Sequence, residues 1–200
     1  VNACGDRCLQ FIDGHDGMLF LAADTGAITV ATRIVSTRLP DHRYTYGHAE
    51  NSVRTCDGDP VYMHSALAAA VARNNSAMLA LVLPASDSAA RREAIWLAAR
   101  LDRFAMLQRL AAAGVPITVR GQILDENSTL LIAAAEGAAV RMGRWLIEVH
   151  HMPVNAILTG PDPYKGSSPV RIVMSGGRDG DAPARIASFL QLLVSHGADI

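Results

Sequence analysis

Ala94-Ile95-Trp96-Leu97-Ala98-Ala99, continued by Phe104-Ala105-Met106-Leu107-Gln108-Arg109-Leu110 and closed by Gly114-Val115-Pro116-Ile117, reads as two short helices in succession. The first is rich in alanine; the second carries a leucine-type stripe at helical spacing. Four further segments share this register. Gly17-Met18-Leu19-Phe20-Leu21-Ala22-Ala23, with Gly26, leads to Val30-Ala31-Thr32-Arg33-Ile34-Val35, and Ser65-Ala66-Leu67-Ala68-Ala69-Ala70-Val71 leads to Met78-Leu79-Ala80-Leu81-Val82-Leu83. Ser128-Thr129-Leu130-Leu131-Ile132-Ala133-Ala134, with Gly137, leads to Trp145-Leu146-Ile147 and Pro153-Val154-Asn155-Ala156. The last segment opens Ser168-Pro169-Val170-Arg171-Ile172-Val173 and closes Phe189-Leu190-Gln191-Leu192-Leu193-Val194-Ser195-His196-Gly197-Ala198-Asp199-Ile200.

A unit of this kind cannot bury its apolar face alone and must stack on a neighbour. The expected fold is therefore all-α: a solenoid of about five helix-turn-helix repeats with irregular inserted loops. The repeats fall at about 17–36, 65–84, 93–117, 128–156 and 168–200, in a single domain over 1–200 with an N-terminal segment 1–16 and an insert 37–60. Ser65, Ser128 and Ser168 stand where a helix wants an N-cap, and Pro169 stands at a first helical position, where a missing N–H costs nothing. Gly114 and Gly197 follow a last turn that calls for left-handed backbone. Composition alone would equally suit an alanine-rich bundle, but it does not account for the recurring glycine-terminated second helix.

On these residues the chain resembles the ankyrin-repeat family. The run Leu192 to Ile200, with His196-Gly197-Ala198-Asp199, is the most specific fragment, and Ile95 to Ile117 follows the family pattern without a gap. The family's opening Thr-Pro-Leu-His survives only in degraded form, best kept as Ser168-Pro169-Val170-Arg171. Ala22, Ala70, Ala98, Ala133 and Val173 stand at equivalent positions 48, 28, 35 and 40 residues apart. A standard unit is about 33 residues, so insertions separate the first two copies and divide the last, the latter at Gly176 to Pro183. Stacked cores cannot absorb insertions, which go to surface loops.

The resemblance implies a non-enzymatic protein that binds another protein through loop tips and a concave face. No cofactor is expected. The insert carries Arg38, His42, Arg43, Tyr44, Tyr46, His48 and Arg54, and tyrosine and arginine dominate interface hot spots. The alternative for Tyr44 and Tyr46 is a cap folded back on the first copy. Arg73, Arg100, Arg103 and Arg141 are secondary partner-binding candidates along the helices.

Chemistry finds little footing in the sequence. His150 and His151 are adjacent, so a helix would point them about 100° apart and away from a shared ion. His42 and His48 have Asp41, Glu50, Asp57 and Asp59 nearby but lack tight ligand spacing, and no metal site is expected. Ser195-His196 are sequence neighbours rather than a nucleophile and base brought together by a fold. Neither a Gly-x-Ser-x-Gly elbow nor a phosphate-cradling glycine loop is present. A net charge of −1, with scattered arginines and no block of like charges, gives no nucleic-acid surface. No apolar run reaches the roughly 18 residues a membrane span needs.

Cys4, Cys8 and Cys56 all lie outside the helical copies. A Cys8–Cys56 disulfide would tie the insert to the N-terminal segment. Cys4 then needs its own explanation, and Val1-Asn2-Ala3-Cys4-Gly5 resembles the end of a bacterial lipoprotein signal, with Cys4 as the lipidation site. This reading places the chain in the periplasm on a lipid anchor; the alternative is a cytoplasmic protein with three reduced thiols. Exported ankyrin lipoproteins resemble immunity proteins that inhibit secreted toxins such as phospholipase effectors. The other functional reading is an interaction domain of a larger translocated effector or scaffold. Under the exported reading, reduction is expected to raise the intact mass by about 2 Da, the two protons of one bridge. An unchanged mass spectrum contradicts it.

Overall fold

A computed structural model of the chain describes residues 15–37, 52–54, 60–117, 129–157, 166–175 and 182–200. Among them ten α-helices dominate, as expected for an all-α chain. The exception is a short antiparallel ribbon of β1 (Ser52–Arg54) and β2 (Pro60–Tyr62), in which Val53 faces Val61. It overlaps the end of the expected insert. Its three-residue strands are too short for period-2 patterning to announce them.

Contacts divide the chain into two compact units, one of Val1–Asn51 with Met63–Ala94 and the other of Ser52–Tyr62 with Ile95–Ile200. The first unit holds α1 (His15–Thr25), α2 (Ile28–Val35), α3 (Ala66–Ala72) and α4 (Ser76–Val82), and α5 (Ser88–Arg100) begins in it. Hairpins α1–α2 and α3–α4 lie side by side, with α1 on α3 and α2 on α4. The second unit holds the end of α5, then α6 (Phe104–Ala112), α7 (Leu130–Glu136), α8 (Val140–Glu148), α9 (Pro169–Met174) and α10 (Ala182–Ser195). The same rule applies within it: α7 packs on α9 and α8 on α10.

One turn closes four of the hairpins. Gly26, Asn74, Asp102 and Ala138 have φ of 74°, 56°, 54° and 46°. Each follows a first helix. The next residue's N–H then donates back across the turn: Ala27 to Ala22, Asn75 to Ala70, Arg103 to Ala98 and Ala139 to Ala134, at 2.8–2.9 Å. This Schellman closure satisfies a helix-end carbonyl and reverses the chain within two residues. Glycine, asparagine and aspartate tolerate the left-handed well; Ala138 adopts it at roughly 1–2 kcal/mol, partly offset by its buried methyl.

The fourth copy needs a correction. Gly137 is not its turn residue, and Ala134 rather than Ala133 matches Ala22, Ala70 and Ala98 in this bond. Gly137 serves close approach instead, since a Cβ there would lie 1.8 Å from the Arg100 carbonyl oxygen. The second-helix glycines stand as expected: Gly114 and Gly197 both have φ of 83°. Ser65 and Ser168 cap α3 and α9, accepting from the Ala68 and Arg171 N–H groups at 3.1 and 3.3 Å, and Pro169 is the first residue of α9. Ser128 lies outside the described residues; the cap position of α7 is Thr129, whose side chain makes no capping bond.

Every residue of α3 and α7 is buried. Alanine makes this possible, because a helix without bulk admits neighbours on all sides. Close contact is also set by Gly143 on α8, where a Cβ would sit 2.6 Å from the Phe189 ring of α10. At the end of the second unit, Asn155 brackets the closing turn: its Nδ2 donates to the Gly197 carbonyl at 3.1 Å and its Oδ1 accepts from the Asp199 N–H at 2.9 Å.

Gly137→Ala is expected to destabilise the chain by about 3 kcal/mol, the upper end for overpacking, because backbone cannot yield as a side chain can. Gly143→Ala, which meets a phenylalanine ring, is expected to cost less. Urea unfolding of both variants checks the order, and a Gly137→Ala variant as stable as the parent refutes it.

Candidate partner-binding surface

Of the residues that sequence reasoning assigned to partner binding, Arg38, His42, Arg43, Tyr44, Tyr46 and His48 lie outside the described residues, as do Cys4, Cys8 and Cys56. Arg54 is the last residue of β1, its backbone opposite Pro60. The helix-borne arginines are described, and Arg103 and Arg141 both lie in the field of Asp102. Arg73 caps the end of α3, and its Nε donates to Asp24 Oδ1 at 2.7 Å, joining α3 to α1. Arg100, at the end of α5, has its Nε 3.4 Å from Glu136 Oε2 on α7. Arg103 occupies the N-cap position of α6 and is half-buried. Arg73 and Arg100 thus brace their own units, while the absence of any exposed residue on α3 and α7 removes those two first helices as an open binding face.

The second unit carries a surface that sequence reasoning reached only in part, naming Arg141 but not the rings beside it. Arg141, on the first turn of α8, lays its guanidinium over the Phe104 ring, 4.5 Å from the centroid. Phe104 meets Trp145 edge to face, centroids 5.2 Å apart at 88°, and Trp145 meets His150 at 4.2 Å and 68°. Arg141 is exposed, and the three rings are half-buried. Phe104 and Trp145 stood in the sequence as members of the apolar stripe. Their one available signal was rarity: the chain has only four phenylalanines and two tryptophans.

Asp102 stands beside this ladder. Its Oδ1 accepts from the Met142 N–H at 3.0 Å, so the turn of one hairpin caps the α8 helix of the next. Burial raises its pKa; the Met142 hydrogen bond and then Arg141, Arg185 and Arg103 pull the other way without reversing the shift.

Two groupings could be mistaken for catalytic machinery. In the first unit Glu93, 3% exposed, accepts through Oε1 from the His64 N–H and from His64 Nδ1, both at 2.8 Å, and through Oε2 from the Ser65 hydroxyl at 2.7 Å. Ser65 is fully buried, gives its proton to the carboxylate rather than to the imidazole, and caps α3. That geometry fastens the entry of α3 to α5, and a hydroxyl with no solvent exposure is not presented to a substrate as a nucleophile. The Ser195 hydroxyl donates to the Leu192 carbonyl at 2.8 Å, while His196 Nδ1 lies 3.2 Å from that hydroxyl and 2.8 Å from the same carbonyl oxygen.

Among the described residues no three histidine, cysteine, aspartate or glutamate side chains gather as metal ligands, and no helix is long and apolar enough to cross a membrane. No protein-family model matches the chain, and no curated protein matches it in sequence.

The raised Asp102 pKa has a defined sign. A carboxyl that holds its proton more tightly when folded favours the fold fully at low pH, and that contribution is lost as pH rises from the ordinary range near about 3.9 through the raised value. Asp102→Asn keeps the acceptor for Met142 and removes the ionisation. It is expected to be at least as stable as the parent at neutral pH, with the difference closing in acid. Relative to that asparagine variant, Asp102→Ala loses the cap, about 1 kcal/mol, and adds the strain of an alanine at φ 54°, at either pH. Thermal melting at neutral and acidic pH separates them; an asparagine variant weaker than the parent at neutral pH contradicts the sign.

Proposed function

We propose that this chain is a non-enzymatic protein-binding module built as an ankyrin-like array of helical hairpins. The observation that carries the reading is the recurrence of one closure, a left-handed residue followed by a bond back to a first-helix alanine, at Gly26, Asn74, Asp102 and Ala138. Repeated hairpins of one geometry make surface in proportion to their number, and such surfaces suit extended contact with another macromolecule. The burial of Ser65, together with its use as a helix cap, adds weight against a catalytic role for the His64–Ser65–Glu93 grouping.

The narrower form is an exported immunity protein, anchored by lipid at Cys4 in the periplasm, that occludes a secreted toxin such as a phospholipase. Its support is sequence alone: the Val1-Asn2-Ala3-Cys4 segment and the tyrosine–arginine insert. The insert supplies the contact residues in this reading, with Tyr44 and Tyr46 as anchors.

Co-expression with the product of an adjacent gene for a secreted enzyme is expected to yield a complex and to suppress that enzyme's activity. Replacing Arg43, Tyr44 and Tyr46 together by alanine is expected to weaken the complex by more than about tenfold while leaving the melting temperature in place. A complex indifferent to these substitutions removes the insert from the interface. Failure of every neighbouring secreted enzyme to bind removes the immunity reading.

A further inference from the structure

Arg141 on α8 and Arg185 on α10 are both exposed, and the helices that carry them pack together. Among the described residues neither has a carboxylate within ion-pair distance, whereas the neighbouring acids are engaged. Glu148 lies 3.2 Å from Arg144 and 3.6 Å from His196, and Glu136 lies against Arg100. Asp102, already holding the Met142 N–H, is the acid in whose field Arg141, Arg185 and Arg103 all lie. Among the described residues positive charge is therefore in excess at this place, in a chain whose net charge is −1.

We propose that Arg141 and Arg185, with the Phe104–Trp145 pair beside them, form a docking surface for an acidic protein segment. The inference rests on the protein-binding reading above and supplies the chemistry of the partner. The Phe104 ring holds the Arg141 guanidinium in place, and a fork fixed in this way loses less freedom when it meets a carboxylate with two parallel hydrogen bonds. The half-buried edges of Phe104 and Trp145 offer apolar area next to that fork, the pairing of aromatic and arginine found at interface hot spots. A glutamate or aspartate side chain followed by an apolar one matches both. Nucleic acid fits less well, since a phosphate backbone needs a line of cations and these stand as a pair beside aromatic rings.

Trp145 reports on the surface directly, because the other tryptophan, Trp96, is only 4% exposed. The full chain is titrated with a short peptide of alternating glutamate and leucine while tryptophan emission is followed. A saturable change is expected, absent in Trp145→Phe and weakened by about tenfold or more when Arg141→Gln and Arg185→Gln are combined. Far-UV circular dichroism confirms that the variants keep their helices. No change in emission overturns the proposal, as does a change that survives the double substitution or an equal response to a single-stranded oligonucleotide of the same charge. The two readings fail separately. A partner complex that forms normally in the double arginine variant ends this docking surface and leaves the binding module intact.

Discussion

An alanine helix can be enclosed on every side only if the chain leaves it abruptly, and in this protein the left-handed closure performs that exit. The bond from Ala27 to Ala22, repeated from Asn75 to Ala70, Arg103 to Ala98 and Ala139 to Ala134, satisfies a carbonyl that the helix end would otherwise bury unpaired. The second helix then starts at once and lies against the first. Without that closure the enclosed first helices would trade a satisfied backbone for desolvated carbonyls, a loss of about 1–3 kcal/mol at each.

Polar side chains are spent on fixing where one hairpin meets the next. Glu93 gathers three donors around the entry of α3, and Asp102 reaches from its own turn to the start of α8. Asn155 grips both a carbonyl and an N–H of the closing turn. Alanine and leucine surfaces slide easily past one another, whereas a hydrogen bond has direction. A few directed bonds therefore set the register that apolar packing leaves loose.

The surface shows the same division of labour. Arg73 and Arg100 have carboxylate partners inside their own units, so a count of arginines overstates the charge available to a partner. Among the described residues Arg141 and Arg185 have no such partner, and Arg141 is braced by an aromatic ring. Outward-facing potential depends on which acids have already been engaged, and that is a property of the packed chain.

The amino-acid order alone determined the helical class, the pairing of alanine-rich with leucine-striped segments, the serine caps at Ser65 and Ser168, and the glycine stops at Gly114 and Gly197. These are local matters, decided by periodicity and by backbone strain within a turn. Tertiary structure decided the rest. Gly137 carried the same letter as a turn glycine, yet it is needed because the Arg100 carbonyl presses against it, while Ala138 takes the left-handed turn. Phe104 and Trp145 read as core, yet both are half-exposed, and Arg141, from the helix that carries Trp145, covers the Phe104 ring. Asp102 showed no sign of its role, since the N–H it caps lies 40 residues further along the chain. Contacts between distant residues write no period into a sequence, and Gly137, Phe104 and Asp102 depend on such contacts.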